Sequence, residues 1–266
     1  AFTEKEDVKG QANLRLMGIP LGAQFVCLIA RDSAYLKSHQ TGSDHSGHSY
    51  RDIDVKNFML AAEELVSRGY YVLRMGYKVN EPFNSHNYMV IDYASNGMRS
   101  DFMDIYLGAK CAFCISCGTG FDAVPQIFRR PVAYVNMVPV AYFFTFSNRV
   151  LGIFKHHFSI KSDQNLSLSE IFVSGVGSSL MTSDYESKDV LLIENTPEEI
   201  RDLVIEMHER TNGAWHSHDD DELLQQKFWE IFSAEALNNH EGRPLHGVIQ
   251  SRFGASFLRN NLWWLE

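Results

Sequence analysis

Gln24-Phe25-Val26-Cys27-Leu28-Ile29-Ala30-Arg31-Asp32 is the stretch on which the fold turns. Residues 24–30 form a continuous, mostly apolar run with no polar alternation, the pattern of a strand covered on both faces in a parallel sheet. The run ends on two charged residues. Outward from it, residues 54–68 carry apolar side chains at 55, 58, 59, 62, 65 and 66. That spacing draws one helical stripe, with Asp54 as N-cap and Gly69 as the stop. A second strand follows at 70–75, closed by Gly76, and a third at 89–93. Ser100 caps a helix that runs to Lys110, and 111–117 reads as a fourth strand. Gly118-Thr119-Gly120 turns into a short helix ending near Arg130, and 131–137 is a fifth strand.

Alternating strands and helices of these lengths imply an α/β fold: a Rossmann-like parallel sheet flanked by helices. After Pro139 the pattern changes. Residues 141–158 are aromatic and basic, 168–173 reads as a short helix and 190–193 as a short strand. Thr196-Pro197-Glu198-Glu199 is a strong helix start, leading to about Arg210, and a further helix spans 219–237. The expected organisation is an N-terminal extension or linker (1–22), a Rossmann-like domain (23–194) and a C-terminal helical segment packed on it (195–266).

Composition bounds the function. With 24 Lys and Arg against 33 Asp and Glu, the net charge is −9. A protein that coats nucleic acid needs a basic excess, so that class is disfavoured. The 45% of hydrophobic residues supplies a core that a disordered acidic chain lacks. Four cysteines are too few for a disulfide framework. Residues 1–7 fit no secretory signal, and no run of about 18 apolar residues occurs that would span a membrane. The expectation is a cytoplasmic protein, or one peripheral at the inner membrane.

Ligands of an open parallel sheet bind beyond the carboxyl ends of its strands. The first strand delivers Arg31 and Asp32 there, and the second Arg74 and Gly76. The fourth delivers Ser116, Gly118, Thr119 and Gly120 at a helix N-terminus, and the fifth Asn136. Arginine forks and free helix N–H groups together suit phosphate oxygens. There is no Gly-x-x-x-x-Gly-Lys-Ser/Thr, and no Gly-x-Gly-x-x-Gly after the first strand, which argues against a P-loop enzyme and a dinucleotide dehydrogenase.

Other features have two readings. Cys111, Cys114 and Cys117 resemble a metal or cluster ligand series, but residues three apart on a strand face opposite ways, which favours buried structural thiols. His39, His45 and His48 lie in a Ser/Gly/His-rich stretch: a solvated loop, a metal site or, at His48, a catalytic base. Asp101 and Asp104 either complement the helix dipole or accept hydrogen bonds from a ribose or base. His156-His157 reads as packing or surface. The aromatic stretch 142–146 is core, or else an acceptor-facing or membrane-facing patch.

Several of these segments together resemble a family of bacterial glycosyltransferases tied to surface-polysaccharide loci. They are Arg31-Asp32, His48-Ser49-Tyr50-Arg51-Asp52, Gly69 to Gly76, Ile91-Asp92-Tyr93-Ala94, Arg99 to Asp104, Gly118-Thr119-Gly120 with Pro131 and Asn136, and Asn195 to Ile200. The likeness covers about residues 10–265. It implies the C-terminal, donor-binding half of a GT-B enzyme, in which two Rossmann-like domains face each other across a cleft. The order of arginine, acidic helix and Ser/Gly turn is distantly similar to GT-B fucosyltransferases. By that likeness Arg31 contacts the donor diphosphate, Asp101 or Asp104 lies near the nucleoside, and the 116–120 turn holds phosphate. Those enzymes carry His two residues before the arginine, where this chain has Ile29, so a fucose donor is not carried over.

The family also has a further N-terminal domain. The expectation is that this chain is a fragment, or that a partner chain or second copy completes the cleft. The resulting expectation is sugar transfer from a nucleotide-sugar to a glycan or lipid-linked acceptor, with no metal and no cofactor beyond the donor. Arg31, Arg74 and His48 are the candidate catalytic residues. Asp32, Arg51, Gly76, Asp101, Asp104, Ser116, Gly118, Thr119, Gly120 and Asn136 are the candidate donor-binding residues. The alternatives are a nucleotide-sugar epimerase or hydrolase on the same scaffold, and a non-catalytic nucleotide or glycan binding module.

Overall fold

The computed structural model describes residues 1–34, 46–236 and 246–266. Its centre is a seven-stranded parallel sheet. The strands are β1 (Phe25–Ile29), β2 (Tyr71–Arg74), β3 (Val90–Ile91), β4 (Cys114–Ser116), β5 (Val132–Met137) and β6 (Val150–Phe154). A last strand in the C-terminal segment, Arg252–Phe253, pairs with β6 at the sheet edge. The spatial order from the opposite edge is β3-β2-β1-β4-β5-β6 and then that strand. From β1 the chain winds outward through β2 to β3, then returns to place β4 on the other side of β1. The reversal opens a crevice between the carboxyl ends of β1 and β4.

Register follows the apolar runs. Cys27 lies opposite both Leu73 and Cys114, and Val26, Leu28, Ile115 and Val132 are fully buried. Apolar side chains on both faces of these strands require helices on both faces.

The helices supply that cover. They are α1 (Glu4–Leu16), α2 (Met59–Ser67), α3 (Asp101–Lys110), α4 (Ala123–Ile127), α5 (Leu168–Val173), α6 (Thr182–Glu186), α7 (Pro197–Thr211), α8 (Asp221–Ala236) and α9 (Ala255–Asn260). α2 packs on α7, and α3 on α4 and α1. In α7, Ile200, Leu203, Val204 and Met207 are buried at helical spacing, each contributing about 1.5–3 kcal/mol of transfer free energy. Thr196 caps α7 by accepting from Glu199 N at 3.2 Å, while Glu199 reaches back to Thr196 N at 2.9 Å. β7 (His156–Ser159), β8 (Gln164–Asn165) and β9 (Val190–Ile193) form a separate antiparallel sheet in the order β8-β7-β9.

The stretch 1–22, expected as an N-terminal extension or linker, contains a 13-residue helix capped by a reciprocal Thr3–Glu6 pair. It docks because Gly10 lets the Tyr106 ring approach closely, while Phe2 stacks on Phe128 with ring centres 5.6 Å apart. The segment 195–266 is not purely helical, since Arg252–Phe253, now β10, extends the main sheet. The helix expected over 54–68 is split: Asp54 caps a 3-10 turn, Val55–Phe58, before α2 begins.

Candidate functional site

The loop after β1 and the turn after β4 meet over a cleft of about 550 Å³. Arg31, Asp32, Arg51, Gly76, Asp104, Thr119 and Gly120 all line it, so seven of the sequence candidates converge at the strand reversal. The apolar part of the wall comes from Met75, Val79, Ile105, Phe121 and Val124, with Tyr77 and Lys78 on the loop after β2.

Arg51 approaches Arg31 from the 3-10 turn Ser46–Arg51. Its Nη2 donates to the Gly118 carbonyl. Beneath it, buried Lys155 donates to the carbonyls of Tyr50 (3.2 Å) and Asp52 (2.8 Å), the two residues flanking Arg51. Burial pulls the Lys155 ammonium below its ordinary range. Burial, and then the neighbouring charge of Arg51, pull the Arg31 guanidinium down in the same way. Two cations are thus held together in a half-buried position.

Arg31 Nε stands 3.6 Å from Asp52 Oδ1, too long for a hydrogen bond. Arg31 Nε, Arg51 Nε and Thr119 Oγ1 are buried with no hydrogen-bond partner among the described residues. A buried donor left so costs about 1–3 kcal/mol, and an anion in the cleft would relieve both that cost and the repulsion between the cations.

Asp104 and Tyr93 form a second corner. Tyr93 Oη donates to Asp104 Oδ1 at 3.0 Å, and Arg99 Nη2 to Asp104 Oδ2 at 2.5 Å. The Arg99 guanidinium lies over the Tyr77 ring at 4.3 Å. Burial raises the Asp104 carboxyl, with Arg99 opposing. Asp101 is different: its side chain is 95% exposed and it meets Arg99 at 3.1 Å outside the cleft. Of the two acids proposed to face a nucleoside, only Asp104 lines the cleft.

The turn after β4 is built from within. Ser116 Oγ donates to Asp122 Oδ2 at 2.8 Å, and Gly118 N donates to Ser116 Oγ at 3.2 Å. Thr119 N donates to Asp122 Oδ2 at 3.0 Å. The Gly118 and Thr119 amides expected to cradle phosphate are therefore taken. The helix that follows is a 3-10 turn, Gly120–Asp122, joined to the five-residue α4. That is too short to act as the anion-binding helix N-terminus the sequence suggested. Gly118 has φ +75°, and a Cβ there would come within 2.9 Å of Met137 Sδ.

Arg74 is not on the cleft wall. It is 1% exposed, with Nη1 3.3 Å from Asp92 Oδ1 and Nη2 3.8 Å from Asp32 Oδ2. Its charge is taken up by two carboxylates of the loops around it, which a reading of strand ends alone does not reveal. Asn136, at φ +53°, clasps Asn195: each backbone N–H donates to the other side-chain oxygen, at 2.7 and 2.6 Å. This clasp fixes the carboxyl end of β5 to the start of α7, away from the cleft. His48 is exposed and does not line the cleft. His39 and His45 lie outside the described residues.

Cys27, Cys111, Cys114 and Cys117 are free and buried, and burial pushes the Cys117 thiol up to about 11. Cys117 Sγ accepts from Arg31 N at 3.1 Å, fixing the backbone at the head of the cleft. Among the described residues no group of three or more His, Cys, Asp or Glu is placed to hold a metal ion. No helix among them is long and apolar enough to cross a membrane. The aromatic stretch divides: Phe143 is buried, Phe144 is half-buried against Tyr134, and Phe146 is exposed.

Asp52, Tyr93, Arg99 and Lys155 were not among the candidate site residues read from the sequence. Asp52, Tyr93 and Arg99 nevertheless lie in segments that carry the family resemblance, whereas Lys155 lies outside them. Comparison of the chain with protein-family models, curated proteins and solved structures gave no match.

Proposed function

We propose that the chain binds a nucleotide-activated sugar in the cleft between β1 and β4 and transfers the sugar to a glycan or lipid-linked acceptor, as the donor-binding part of a GT-B type enzyme. One observation carries the proposal: Arg31 and Arg51, 20 residues apart in sequence, share a half-buried wall with unsatisfied donors that face no counter-ion closer than 3.6 Å among the described residues. Two adjacent forks suit a diphosphate better than a single carboxylate. The 550 Å³ volume and the apolar side formed by Ile105, Phe121 and Val124 suit an attached nucleoside.

In transfer, the bond between the anomeric carbon and the diphosphate oxygen breaks and charge gathers on the leaving group. Cations already in place stabilise that charge without reorganisation. Arg31 and Arg51 are assigned this role. Arg74, enclosed by Asp32 and Asp92, is assigned to hold the loop that carries Asp32.

The test is a thermal-shift panel of UDP, GDP, CDP and CMP, since a ligand bound only by the folded state raises the melting temperature. One nucleoside diphosphate is expected to stand out, and to lose its effect in Arg31→Ala. Equal, negligible shifts from all four nucleotides would remove the proposal. Rapid hydrolysis or interconversion of the donor sugar without acceptor would replace it by the hydrolase or epimerase reading.

A further inference from the structure

Beside the cleft lies a second open cavity of about 380 Å³. The two share Ala30 and Asp32 as a common wall. The second cavity is lined by the carboxylates of Asp32, Asp52, Asp54, Glu81 and Glu194 and by one cation, Arg74. Arg74 is 1% exposed, and its Nε is buried with no hydrogen-bond partner among the described residues.

Most of the carboxylates have duties. Glu194 accepts from Asp54 N (3.1 Å) and Asn57 Nδ2 (2.9 Å). Glu81 pairs with Lys56 at 2.8 Å, and Asp32 accepts from Ala34 N and Asn80 N. Asp52 differs, because among the described residues its side chain meets only the long 3.6 Å contact to Arg31.

We infer that this cavity is the acceptor subsite, that it takes a neutral sugar hydroxyl, and that Asp52 is the base that removes the proton of that hydroxyl. The inference rests on the nucleotide-sugar reading of the neighbouring cleft. A hydroxyl both donates and accepts, so it suits a wall made of carboxylates and one cation. A phosphate or carboxylate group only accepts, and it would enter a wall of five carboxylates and one cation against like charge.

Asp52 joins the two cavities: it faces the second, and its contact residue Arg31 faces the first. The acceptor oxygen attacks the anomeric carbon as the carbon–diphosphate bond breaks. The proton passes to Asp52, and the diphosphate leaves with the bonding electron pair beside Arg31 and Arg51. A single displacement of this kind inverts the anomeric centre.

The charges acting most directly on Asp52 are Arg31, Asp32 and Lys155, and Asp54, Arg74, Glu81 and Glu194 line the same cavity. Burial raises the Asp52 carboxyl, with Arg31 opposing and Asp32 assisting. A base of this type is active above its pKa, and a raised value brings it nearer neutral pH.

The experiment measures nucleoside diphosphate release from UDP-glucose, UDP-N-acetylglucosamine and GDP-mannose by the wild type, Asp52→Asn and Asp52→Glu. Neutral methyl glycosides or sugar phosphates serve as acceptor probes. Nucleoside diphosphate binding is measured in parallel by calorimetry. Expected are binding within about threefold of wild type in Asp52→Asn, with release lowered at least a hundredfold, and partial recovery in Asp52→Glu. Methyl glycosides are expected to accelerate release and sugar phosphates are not. The wild-type rate is expected to rise with pH along one limb that Asp52→Asn lacks. Should Asp52→Asn fail to bind nucleotide, Asp52→Glu carries the comparison.

Release by Asp52→Asn at the wild-type rate overturns the inference. So does faster release with sugar phosphates, and so does nucleotide binding without release with any probe. Absence of nucleotide binding in the wild type instead removes the reading on which the inference rests.

Discussion

Arg51 Nη2 donates to the carbonyl oxygen of Gly118, a residue 67 positions further along the chain. The contact ties the segment after β1 to the turn after β4 across the strand reversal. It also leaves Arg51 Nε buried beside the cleft with no partner among the described residues. One guanidinium edge thus closes the loop structure while the Nε is left over for the proposed ligand, an arrangement that a lysine ammonium on a flexible stem does not reproduce.

Arg31 and Arg51 are expected to act on one diphosphate. Arg31→Ala should lower turnover by about 2–4 kcal/mol in the transition state, roughly 30- to 1000-fold, with little change in melting temperature. If both arginines touch the same group, the double substitution to Ala will not cost the sum of the singles. A coupling above about 0.5 kcal/mol in nucleotide affinity, measured by calorimetry, is expected. Strict additivity would place them on separate partners.

Arg74 is expected to report on stability before binding. Arg74→Ala leaves the half-buried Asp32 and Asp92 carboxylates without their cation. Breaking such a pair from one side costs about 3–5 kcal/mol. A urea titration should show a clearly lower midpoint. An unchanged midpoint together with lost nucleotide binding would give Arg74 a direct ligand role instead.

His157 sets an acid limit on stability. It is buried, its Nδ1 lies 3.0 Å from the Lys155 carbonyl, and burial depresses its pKa to about 3. The folded state therefore binds fewer protons here than the unfolded state below the ordinary value of 6.5. This contribution is complete above pH 6.5 and is lost as pH falls from 6.5 toward 3, at about 1.4 kcal/mol per unit. Half-buried Asp52 and Asp104 and buried Asp122 and Glu206 have raised values and act in the opposite sense. The difference between wild type and His157→Phe isolates the histidine. Urea stability should shift in favour of the variant on acidification from pH 7 to pH 4, and parallel curves would contradict this.

Gly10 tests how α1 is held. An alanine in a helix interior normally gains about 1 kcal/mol over glycine. Here the added Cβ would meet the Tyr106 ring at 2.2 Å. The ring is itself buried, so Gly10→Ala is expected to destabilise by about 1–3 kcal/mol, read by thermal or urea unfolding. A stabilised variant would mean that α1 is not seated on α3.

Features that depend on neighbouring residues were legible in the chain. Helix α3 begins after its Ser100 cap, α5 and β9 match the expected bounds, and Thr196-Pro197 starts α7. Caps and apolar runs are local chemistry, so they show in one dimension. The two-residue β10 shows no such periodicity, because its pairing with Leu151 and Gly152 is made a hundred residues away.

The candidate site divides in the same way. The order of strands delivers Arg31, Arg51, Thr119 and Gly120 to one cleft, because a parallel sheet sends every loop after a strand to the same edge. Whether each side chain faces ligand or protein is another matter. Asp92 and Asp32 enclose Arg74, Asn195 claims Asn136, and Asp122 takes the Thr119 amide.

The sequence by itself determined the βα alternation, the parallel sheet and the edge at which charged residues collect, since strand burial and helix caps follow from neighbours along the chain. Only the tertiary structure decided which cations are left without a matched counter-ion and where Asp52 lies between two cavities. Electrostatic pairing depends on distances of a few ångströms between segments the chain itself keeps far apart.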